Sequence, residues 1–215
     1  MRKQLQQACE QGEIRLLDLH LGVFLEKQAI DEDAHPPKNT TRSTHPSLLL
    51  AATLASAAVG NGHVCYPLEE IPEQVSLAEL VTETCPEPAK WRGELLTTSV
   101  VGQPGEISPL ILDSKNRLYL SRFFKYEEFI AAALRGRASI ELEPDHQLAS
   151  QLLKRLFPRS EKSNTIDFQQ MATALALLKP LVIISGGPGT GKTHTVARIL
   201  AAIQALHARQ QEEQR

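Results

Sequence analysis

The sequence predicts a mostly helical first domain with one small β-hairpin, followed by the opening strand and helices of an incomplete α/β domain. Three observations predict this arrangement. Apolar residues recur at helical spacing through most of residues 1–157. Two short apolar runs, 110–112 and 118–120, flank a polar turn at 113–116, which is the pattern of a β-hairpin. An apolar, β-branched run at 181–185, which suits a strand buried on both faces, precedes a glycine-rich turn and another helical pattern, which is how an α/β unit begins.

The first thirty residues are predicted to be helical, with an apolar face that carries five residues: Ile14, Leu17, Leu21, Phe24 and Leu25. Residues 31–46 are rich in Pro, Thr, Ser, His and charged residues, so we expect a mobile surface loop there. A buried helix is predicted over 47–59, which is almost entirely apolar. The following Gly60-Asn61-Gly62 is a strong helix stop and predicts its end.

Short elements fill the middle of the chain. Residues 63–68 are predicted to be extended, and they lead toward a second short helix. Ser76 and Glu79 have the spacing of a capping box, which predicts that this helix begins there. Trp91 lies in the next helical run, close to the apolar Leu95.

Two helices, over 123–134 and 147–157, are predicted to complete the first domain. The expected core face of the first of them consists of Phe124, Phe129, Ile130 and Ala133. The polar segment 158–164 is predicted to be a linker, and 165–215 the start of the second domain, which opens with an amphipathic helix over 168–178.

Residues 186–193, Gly-Gly-Pro-Gly-Thr-Gly-Lys-Thr, have the pattern G-x-x-x-x-G-K-T of a phosphate-binding loop. Its glycines let the backbone turn tightly, so that several N–H groups point at one anion at the start of a helix over 193–207. Lys192 is predicted to reach the β- and γ-phosphates and Thr193 to bind Mg²⁺, which makes them the candidate catalytic residues. The alternative is a glycine-rich turn that binds nothing.

Bulk composition sets limits on function. The chain has 215 residues, 42% of them hydrophobic, and a net charge of −2, which indicates one or two globular domains and offers no bulk electrostatic argument for nucleic-acid binding. The longest apolar-rich run, 48–59, is too short to cross a bilayer, and there is no secretory leader pattern. Because the three cysteines are scattered, we expect reduced thiols in a cytoplasmic protein that is not attached to a membrane.

Four segments carry a resemblance to a known family. They are Gly62-His63-Val64-Cys65 with Pro67-Leu68, Arg117-Leu118-Tyr119-Leu120-Ser121-Arg122 with Tyr126-Glu127, Leu156-Phe157-Pro158, and Phe168-Gln169 followed by the loop at 186–193. On these segments the chain resembles the alpha subunits of exodeoxyribonuclease V, the RecD family, over nearly its whole length. The two N-terminal segments distinguish this family from other helicase-like ATPases.

The resemblance implies a superfamily 1, RecA-like motor that moves 5′→3′ on the 5′-ended single strand, with ATP and Mg²⁺ as ligands. It implies work at double-stranded DNA ends within the RecBCD complex, in repair by homologous recombination, with RecB and RecC as partners. Residues 1–157 would mainly contact those subunits.

The resemblance also carries Gln169 over as the residue that reads adenine, because an amide offers one donor and one acceptor. A solvated glutamine is the alternative, and the neighbouring Gln170 leaves the choice between the two glutamines open. The adjacent Phe168 is expected to be a core residue. His194 stands where the family pattern has a small hydroxyl residue. The implied nucleotide site therefore comprises Gln169, Gly186, Gly187, Pro188, Gly189, Thr190, Gly191, Lys192, Thr193 and His194.

Hydrolysis also needs an acidic residue and an arginine, and in this family both lie far downstream of the loop, as do the DNA-gripping motifs. The chain ends at Arg215, with a polar tail over 209–215 that is expected to fray. We therefore interpret it as part of a helicase subunit that neither hydrolyses ATP nor unwinds DNA alone. Whether the loop still binds nucleotide, even weakly, stays open, because it lacks its supporting sheet. Two alternatives stay open: a stand-alone RecD-like helicase, and a protein-interaction fragment whose loop is unused.

Other candidate sites are weaker. His63 and Cys65 alternate on one extended segment but have no further ligands at metal-binding spacing, so a packed strand is the preferred interpretation. Basic and aromatic residues alternate between Arg117 and Arg137. The preferred interpretation is that the charges are solvated and the aromatic residues belong to the core. A subunit interface is the next interpretation, and a nucleic-acid contact is a further one. No arrangement typical of a nuclease is present in the sequence.

Overall fold

The computed structural model describes residues 1–32, 45–85, 87–142, 145–158 and 166–213. Within these ranges the chain is mainly helical and carries one small sheet, as predicted. The helices are α1 (Arg2–Glu10), α2 (Leu16–Glu32), α3 (Pro46–Gly60), α4 (Val75–Thr84), α5 (Pro88–Leu96), α6 (Ser121–Ala138), α7 (His146–Leu156), α8 (Phe168–Leu178) and α9 (Lys192–Glu213). The strands are β1 (Tyr66–Pro67), β2 (Val101–Gly102), β3 (Leu110–Leu112) and β4 (Arg117–Leu120). No described helix combines the length and the apolar character that crossing a membrane requires.

The described chain separates into two compact units, Met1–Glu128 and Phe129–Arg215. The first unit contains α1 to α5 and the sheet, and the second contains α7 to α9. Most of the predicted linker over 158–164 lies outside the described residues, as does most of the predicted loop over 31–46. The predicted division of the chain at that linker therefore stays a prediction.

Helix α3 forms the centre of the first unit's core. Every side chain from Ser47 to Ser56 is buried, because neighbouring elements cover this helix on all sides. The helix ends at Gly60 with Asn61 as its C-cap, and the next residue, Gly62, has a φ of +89° and donates its N–H to the Val59 carbonyl at 3.1 Å. The predicted buried helix with a Gly-Asn-Gly stop is therefore confirmed.

The predicted apolar face of the first thirty residues is confirmed only in part. Ile14 and Leu25 are buried and Leu21 packs against the core, whereas Leu17 and Phe24, also expected to face it, are exposed. Asp18 and Glu26 are buried instead, and each accepts hydrogen bonds from an arginine side chain. A face that contains charged residues is not recognised from apolar spacing alone, which is why the prediction was wrong here.

Asp18 links α2 to α3. Its carboxylate accepts hydrogen bonds from the Arg15 backbone N–H at 2.9 Å, the Arg15 guanidinium at 2.6 Å and the Ser56 hydroxyl at 2.7 Å. Burial raises the pKa of Asp18, but these hydrogen bonds favour the charged form more strongly, so the pKa lies below its usual value.

The lowered pKa of Asp18 predicts acid sensitivity of the first unit. Since the folded-state pKa is depressed, the carboxylate stabilises the fold fully above its unfolded pKa of about 3.9, and this contribution is lost as the pH falls through the folded pKa. We expect Asp18→Asn to lower the free energy of unfolding by about 1–2 kcal/mol near neutral pH and by progressively less in acid. Urea unfolding of the full chain between about pH 7 and about pH 3 measures this difference.

The matched control for this titration is Glu10→Gln, which changes an exposed carboxylate at the end of α1. This variant is expected to follow the wild-type chain throughout. A penalty for Asp18→Asn that stayed constant across the pH range would contradict the assignment of the effect to the carboxylate charge.

The four-stranded sheet has the order β1-β4-β3-β2 and contains the predicted hairpin. β3 and β4 pair antiparallel with Ile111 opposite Tyr119, while β2 pairs with β3 in the parallel direction. Asp113 stabilises the turn, because its carboxylate accepts the backbone N–H of Arg117 at 2.9 Å and the Arg117 guanidinium at 2.6 Å. The turn ends with Asn116 at a φ of +57°, a conformation that asparagine tolerates.

The predicted capping box at Ser76 is wrong. Helix α4 begins one residue earlier, with Gln74 at the N-cap position and no side-chain capping bond. The Ser76 hydroxyl donates to the Glu13 carboxylate instead. A distant acceptor has therefore replaced the local one that the sequence pattern predicted.

The predicted core face of α6 is also wrong. Phe129 and Ile130 are 75% and 56% exposed, and Ala133 is exposed as well. Only Phe124 packs as expected, with its ring edge-on to Tyr119 at a centroid distance of 5.2 Å. Apolar spacing identified the helix and its apolar face, but the described residues contain nothing that covers that face.

The second unit is a small arrangement of α7, α8 and α9. Asp145 and Asp167 cap the N-termini of α7 and α8, accepting backbone N–H groups at 2.9 Å from Leu148 and Gln169. The apolar contacts between the three helices centre on the buried residues Ala149, Leu177 and Ala202. The predicted helix over 168–178 is confirmed.

Candidate nucleotide-binding site

The predicted phosphate-binding loop forms a turn that leads directly into α9. Residues 188–190 make the turn, and the helix begins at Lys192. Gly189 and Gly191 have φ angles of +76° and +79°, in the left-handed region that side-chain-bearing residues rarely adopt. Glycine is therefore strongly favoured at these two positions, as the predicted tight turn requires.

Two of the loop glycines also lie close to neighbouring side chains. A Cβ atom on Gly186 would lie 2.8 Å from Oγ1 of Thr190, and one on Gly191 would lie 2.5 Å from Nε2 of Gln169. At Gly187, by contrast, no atom lies within 4 Å of the added carbon. The start of the loop, at Gly186, thus packs against Thr190 of the same loop, and its end, at Gly191, packs against the side chain of Gln169.

Lys192 folds its side chain back into the loop. Its ammonium group donates hydrogen bonds to the carbonyls of Gly186 at 2.5 Å and Gly187 at 2.6 Å. An ammonium group has three N–H donors and a flexible stem, so it can exchange these carbonyls for stronger, anionic acceptors. The geometry therefore places a positive charge at the mouth of the turn.

The start of α9 adds further donors. The N–H groups of the first helical residues have no carbonyl one turn earlier in the helix, and they carry the positive end of the helix dipole. Thr193 and His194 are both exposed in this first turn. Thr195 is buried, and its N–H donates to the Gly191 carbonyl at 2.9 Å, which begins the helical hydrogen-bond ladder.

Gln169, in the first turn of α8, points toward the loop. Its amide Nε2 donates to the Thr190 carbonyl at 3.5 Å, and its Oε1 accepts from the Arg198 guanidinium at 3.4 Å. The adjacent Gln170 faces a different cleft, beside Phe157 at the C-cap of α7. The structure thus brings Gln169, and not its neighbour, to the candidate site.

An open cleft of ≈ 320 Å³ lies between α8 and the segment that leads into the loop. Its apolar lining includes Phe168, Met171 and Leu175 from α8 and Ile183 from the opposite side. Phe168 is 70% exposed, so the expectation that it is a core residue is wrong. Among the described residues that line this cleft there is no carboxylate.

The predicted strand over 181–185 is not formed. Residues 181–187 have no regular secondary structure, and Ile183, expected to be buried, is 81% exposed. A strand needs hydrogen-bond partners along its length, and no described segment pairs with this one. The β-branched composition was a correct sign of strand propensity, but propensity does not supply a neighbouring strand.

Helix α9 is longer than predicted. It continues through residues 209–213, which were expected to fray. Val196 and Leu200, two of its apolar residues, are 46% and 57% exposed, whereas Ala202 is fully buried. The buried side of α9 is therefore the side that carries Thr195 and Ala202.

Arg198 is the residue that the sequence analysis missed. Its Cζ lies 4.3 Å from the ring centroid of Phe157, and its guanidinium contacts the Gln169 amide. The available signal was its helical spacing from Thr195 and Ala202, which places an arginine on the packed side of α9.

The remaining candidates gain no further ligands. Burial raises the pKa of the Cys65 thiol, which leaves it protonated at neutral pH. Arg117 pairs with Asp113 at 2.6 Å and lies over the Tyr119 ring, so it is engaged within the chain. The part of the chain that the structure describes contains no group of three or more His, Cys, Asp or Glu side chains that could hold a metal ion.

A glycine turn, a lysine and a helix N-terminus in this order define a P-loop protein, the class that binds nucleotides through their phosphates. In agreement, residues 169–214 match the family described as AAA domain. Residues 10–119 match the family described as RecBCD enzyme subunit RecD, N-terminal domain. The chain therefore belongs to the RecD family, as the resemblance of its segments indicated.

Curated relatives agree with this assignment. The chain is 32% identical over 157 residues to the RecBCD enzyme subunit RecD of Mycolicibacterium smegmatis, an alignment that covers 73% of this chain and 26% of that protein. It is 29% identical over 203 residues to the RecBCD enzyme subunit RecD of Haemophilus influenzae, covering 86% of this chain and 30% of that protein. The chain thus spans between a quarter and a third of the length of these relatives.

Proposed function

We propose that this chain supplies the subunit-assembly domain and the nucleotide-binding loop of an ATP-dependent 5′→3′ DNA helicase subunit. In this proposal the subunit assembles with RecB and RecC and acts at double-stranded DNA ends in recombinational repair. Its proposed location is the cytoplasm. Membership of the RecD family supports the partners and the pathway. The observation that carries the nucleotide site is the turn at Gly189 and Gly191, directly before α9. This turn packs against the side chain of Gln169 on α8.

The residues at the loop fit a triphosphate with Mg²⁺, because the turn is built from glycines that leave backbone N–H groups uncovered by side chains. Lys192 would exchange the carbonyls of the loop for the β- and γ-phosphates, and Thr193 would offer its hydroxyl to Mg²⁺. Gln169 would read the N6/N7 edge of adenine. When bound, the metal neutralises charge on the phosphates. The rest of the proposed cradle is formed by Gly186, Gly187, Pro188, Thr190 and His194.

We infer that this chain by itself does not turn over ATP. Hydrolysis requires a carboxylate that holds the metal and orients water, together with an arginine that stabilises the transition state. The described cleft beside the loop offers no carboxylate for the first of these roles. DNA-stimulated ATP turnover by the purified chain that disappears in Lys192→Ala would overturn this inference.

A second candidate function is a protein-interaction module whose loop binds nothing. Two observations favour it: the Lys192 ammonium is engaged by the loop's own carbonyls, and residues 181–187 are not held in a sheet. The two functions make different predictions for nucleotide binding and the same prediction for partner binding.

Lys192→Ala separates these possibilities. If the loop binds Mg-ATP, we expect this variant to weaken the affinity of the full chain at least about tenfold, because each hydrogen bond to a charged group is worth about 1.5–3 kcal/mol. Titration calorimetry with Mg-ATP measures the dissociation constant. The control is Lys179→Ala, which removes an exposed lysine at the end of α8 and is expected to leave the affinity unchanged.

Copurification with the RecB and RecC homologues of the same organism is the second measurement. Wild-type chain and Lys192→Ala are both expected to copurify, since assembly is assigned to the first domain. Copurification without ATP binding would support the interaction module, and ATP binding without copurification would support a stand-alone helicase.

A further inference from the structure

We propose that Arg198 is a positioning residue for base recognition, which holds the Gln169 amide in one orientation and thereby makes the site prefer adenine over guanine nucleotides. This inference rests on the proposed nucleotide site and deepens it. It concerns the choice of base, which neither the loop nor the lysine determines.

The guanidinium of Arg198 is itself held in place. Its Cζ lies 4.3 Å from the ring centroid of Phe157, and that ring is only 5% exposed. Stacking of a planar guanidinium on an aromatic face fixes the plane of its N–H donors. One of these donors, Nη1, reaches the Gln169 Oε1 atom at 3.4 Å.

The two contacts of Gln169 define which way its amide points. Arg198 can only donate, so the atom that it contacts must be the amide oxygen. The Thr190 carbonyl can only accept, so the atom 3.5 Å from it must be the amide nitrogen. Rotation of the amide by half a turn would place donor against donor at Arg198 and acceptor against acceptor at Thr190.

A fixed amide matters for adenine and not for guanine. Adenine offers a donor at N6 and an acceptor at N7, so one amide orientation forms two hydrogen bonds and the other forms none. Guanine offers acceptors at both O6 and N7, so either orientation gives one favourable and one unfavourable contact. Loss of the orienting contact therefore weakens adenine binding selectively.

The test uses Arg198→Met in the full chain, because methionine keeps an apolar stem beside Phe157 and removes the guanidinium. Calorimetric titrations with Mg-ATP, Mg-GTP and inorganic tripolyphosphate give three affinities for each protein. We expect ATP affinity to fall about three- to tenfold, while the GTP and tripolyphosphate affinities stay unchanged. The matched control, Arg155→Met, removes an exposed arginine on α7 and is expected to alter none of the three.

A double-mutant cycle completes the experiment. Gln169→Ala is expected to abolish the preference for ATP over GTP, and adding Arg198→Met to it should cause no further change, because the arginine acts through the glutamine. An equal loss for all three ligands in Arg198→Met would indicate a purely structural role and would overturn the proposal, as would an unchanged ratio of ATP to GTP affinity.

The same titrations distinguish this inference from the function on which it rests. If the wild-type chain binds none of the three ligands, the proposed nucleotide site fails and the inference fails with it. If the wild-type chain binds ATP no more tightly than GTP, the site stands and the role of Arg198 alone is refuted.

Discussion

Trp91→Ala is expected to lower the free energy of unfolding of the full chain by about 3–5 kcal/mol. Trp91 is 1% exposed and lies where α5 meets α3 and β1. Its indole N–H donates to the Ser47 carbonyl at 3.1 Å, and its ring lies edge-on to Tyr66 at 6.3 Å. Truncation removes all of these contacts at once and leaves a cavity beside the buried Ser47–Ser56 part of α3, whose side chains are already packed.

Urea unfolding followed by far-UV circular dichroism measures this loss. Tryptophan fluorescence is unsuitable for it, because Trp91 is the chain's only tryptophan. Trp91→Phe is the matched control: it keeps an aromatic ring against Tyr66 but loses the indole donor, so we expect a smaller loss of about 1–2 kcal/mol. Equal unfolding midpoints for the wild-type chain and Trp91→Ala would refute the central position of this residue in the core.

The sequence was sufficient where structure is determined locally. Helix α3 and its stop at Gly62, helix α8, and the hairpin around Asp113 follow from apolar spacing and turn chemistry that act over a few residues. The tight turn of the predicted phosphate-binding loop follows equally, because the left-handed conformations at Gly189 and Gly191 are the physical reason for their glycines.

The errors arose where burial depends on a distant partner. The apolar residues Phe129 and Ile130 were assigned to a core face, and Ile183 to a buried strand, yet all three are more than half exposed. Conversely, Asp18 and Glu26 were not part of the predicted core face and are buried, since each has an arginine partner. Apolar spacing shows which residues share a face, but it does not show what covers that face.

The candidate site shows the same division. The residue pattern alone predicted the loop. Gln169 was identified only through the family resemblance, which did not exclude Gln170. The structure separates the two glutamines because the N-cap at Asp167 fixes where α8 begins, and hence which residue of its first turn points to the loop. Arg198 was not predicted, because its contacts join α9 to Phe157 at the C-cap of α7 and to Gln169 on α8. No sequence pattern links Phe157, Gln169 and Arg198.

Gly22→Ala is the second substitution expected to have a large effect, with a loss of about 1–3 kcal/mol in the free energy of unfolding. Gly22 lies on α2 where it packs against α3. A Cβ atom at this position would lie 2.3 Å from Oγ1 of Thr53 and 2.8 Å from the backbone oxygen of Leu49. Thr53 cannot easily rotate away, because its hydroxyl donates to that same Leu49 oxygen at 2.8 Å. The methyl group can therefore be accommodated only by moving one helix away from the other.

The control reverses the sign with the same chemical change. Gly93→Ala lies in α5 of the same unit, and no atom stands within 4 Å of the added carbon. Since alanine is about 1 kcal/mol better than glycine inside a helix, this variant is expected to be neutral or more stable. Trp91 fluorescence during urea unfolding reports on the first unit in both variants. The intrinsic preference for alanine applies both to Gly22 on α2 and to Gly93 on α5, and only Gly22 has the contact with Thr53. Two variants of equal stability would therefore mean that α2 and α3 do not approach as closely as this contact indicates.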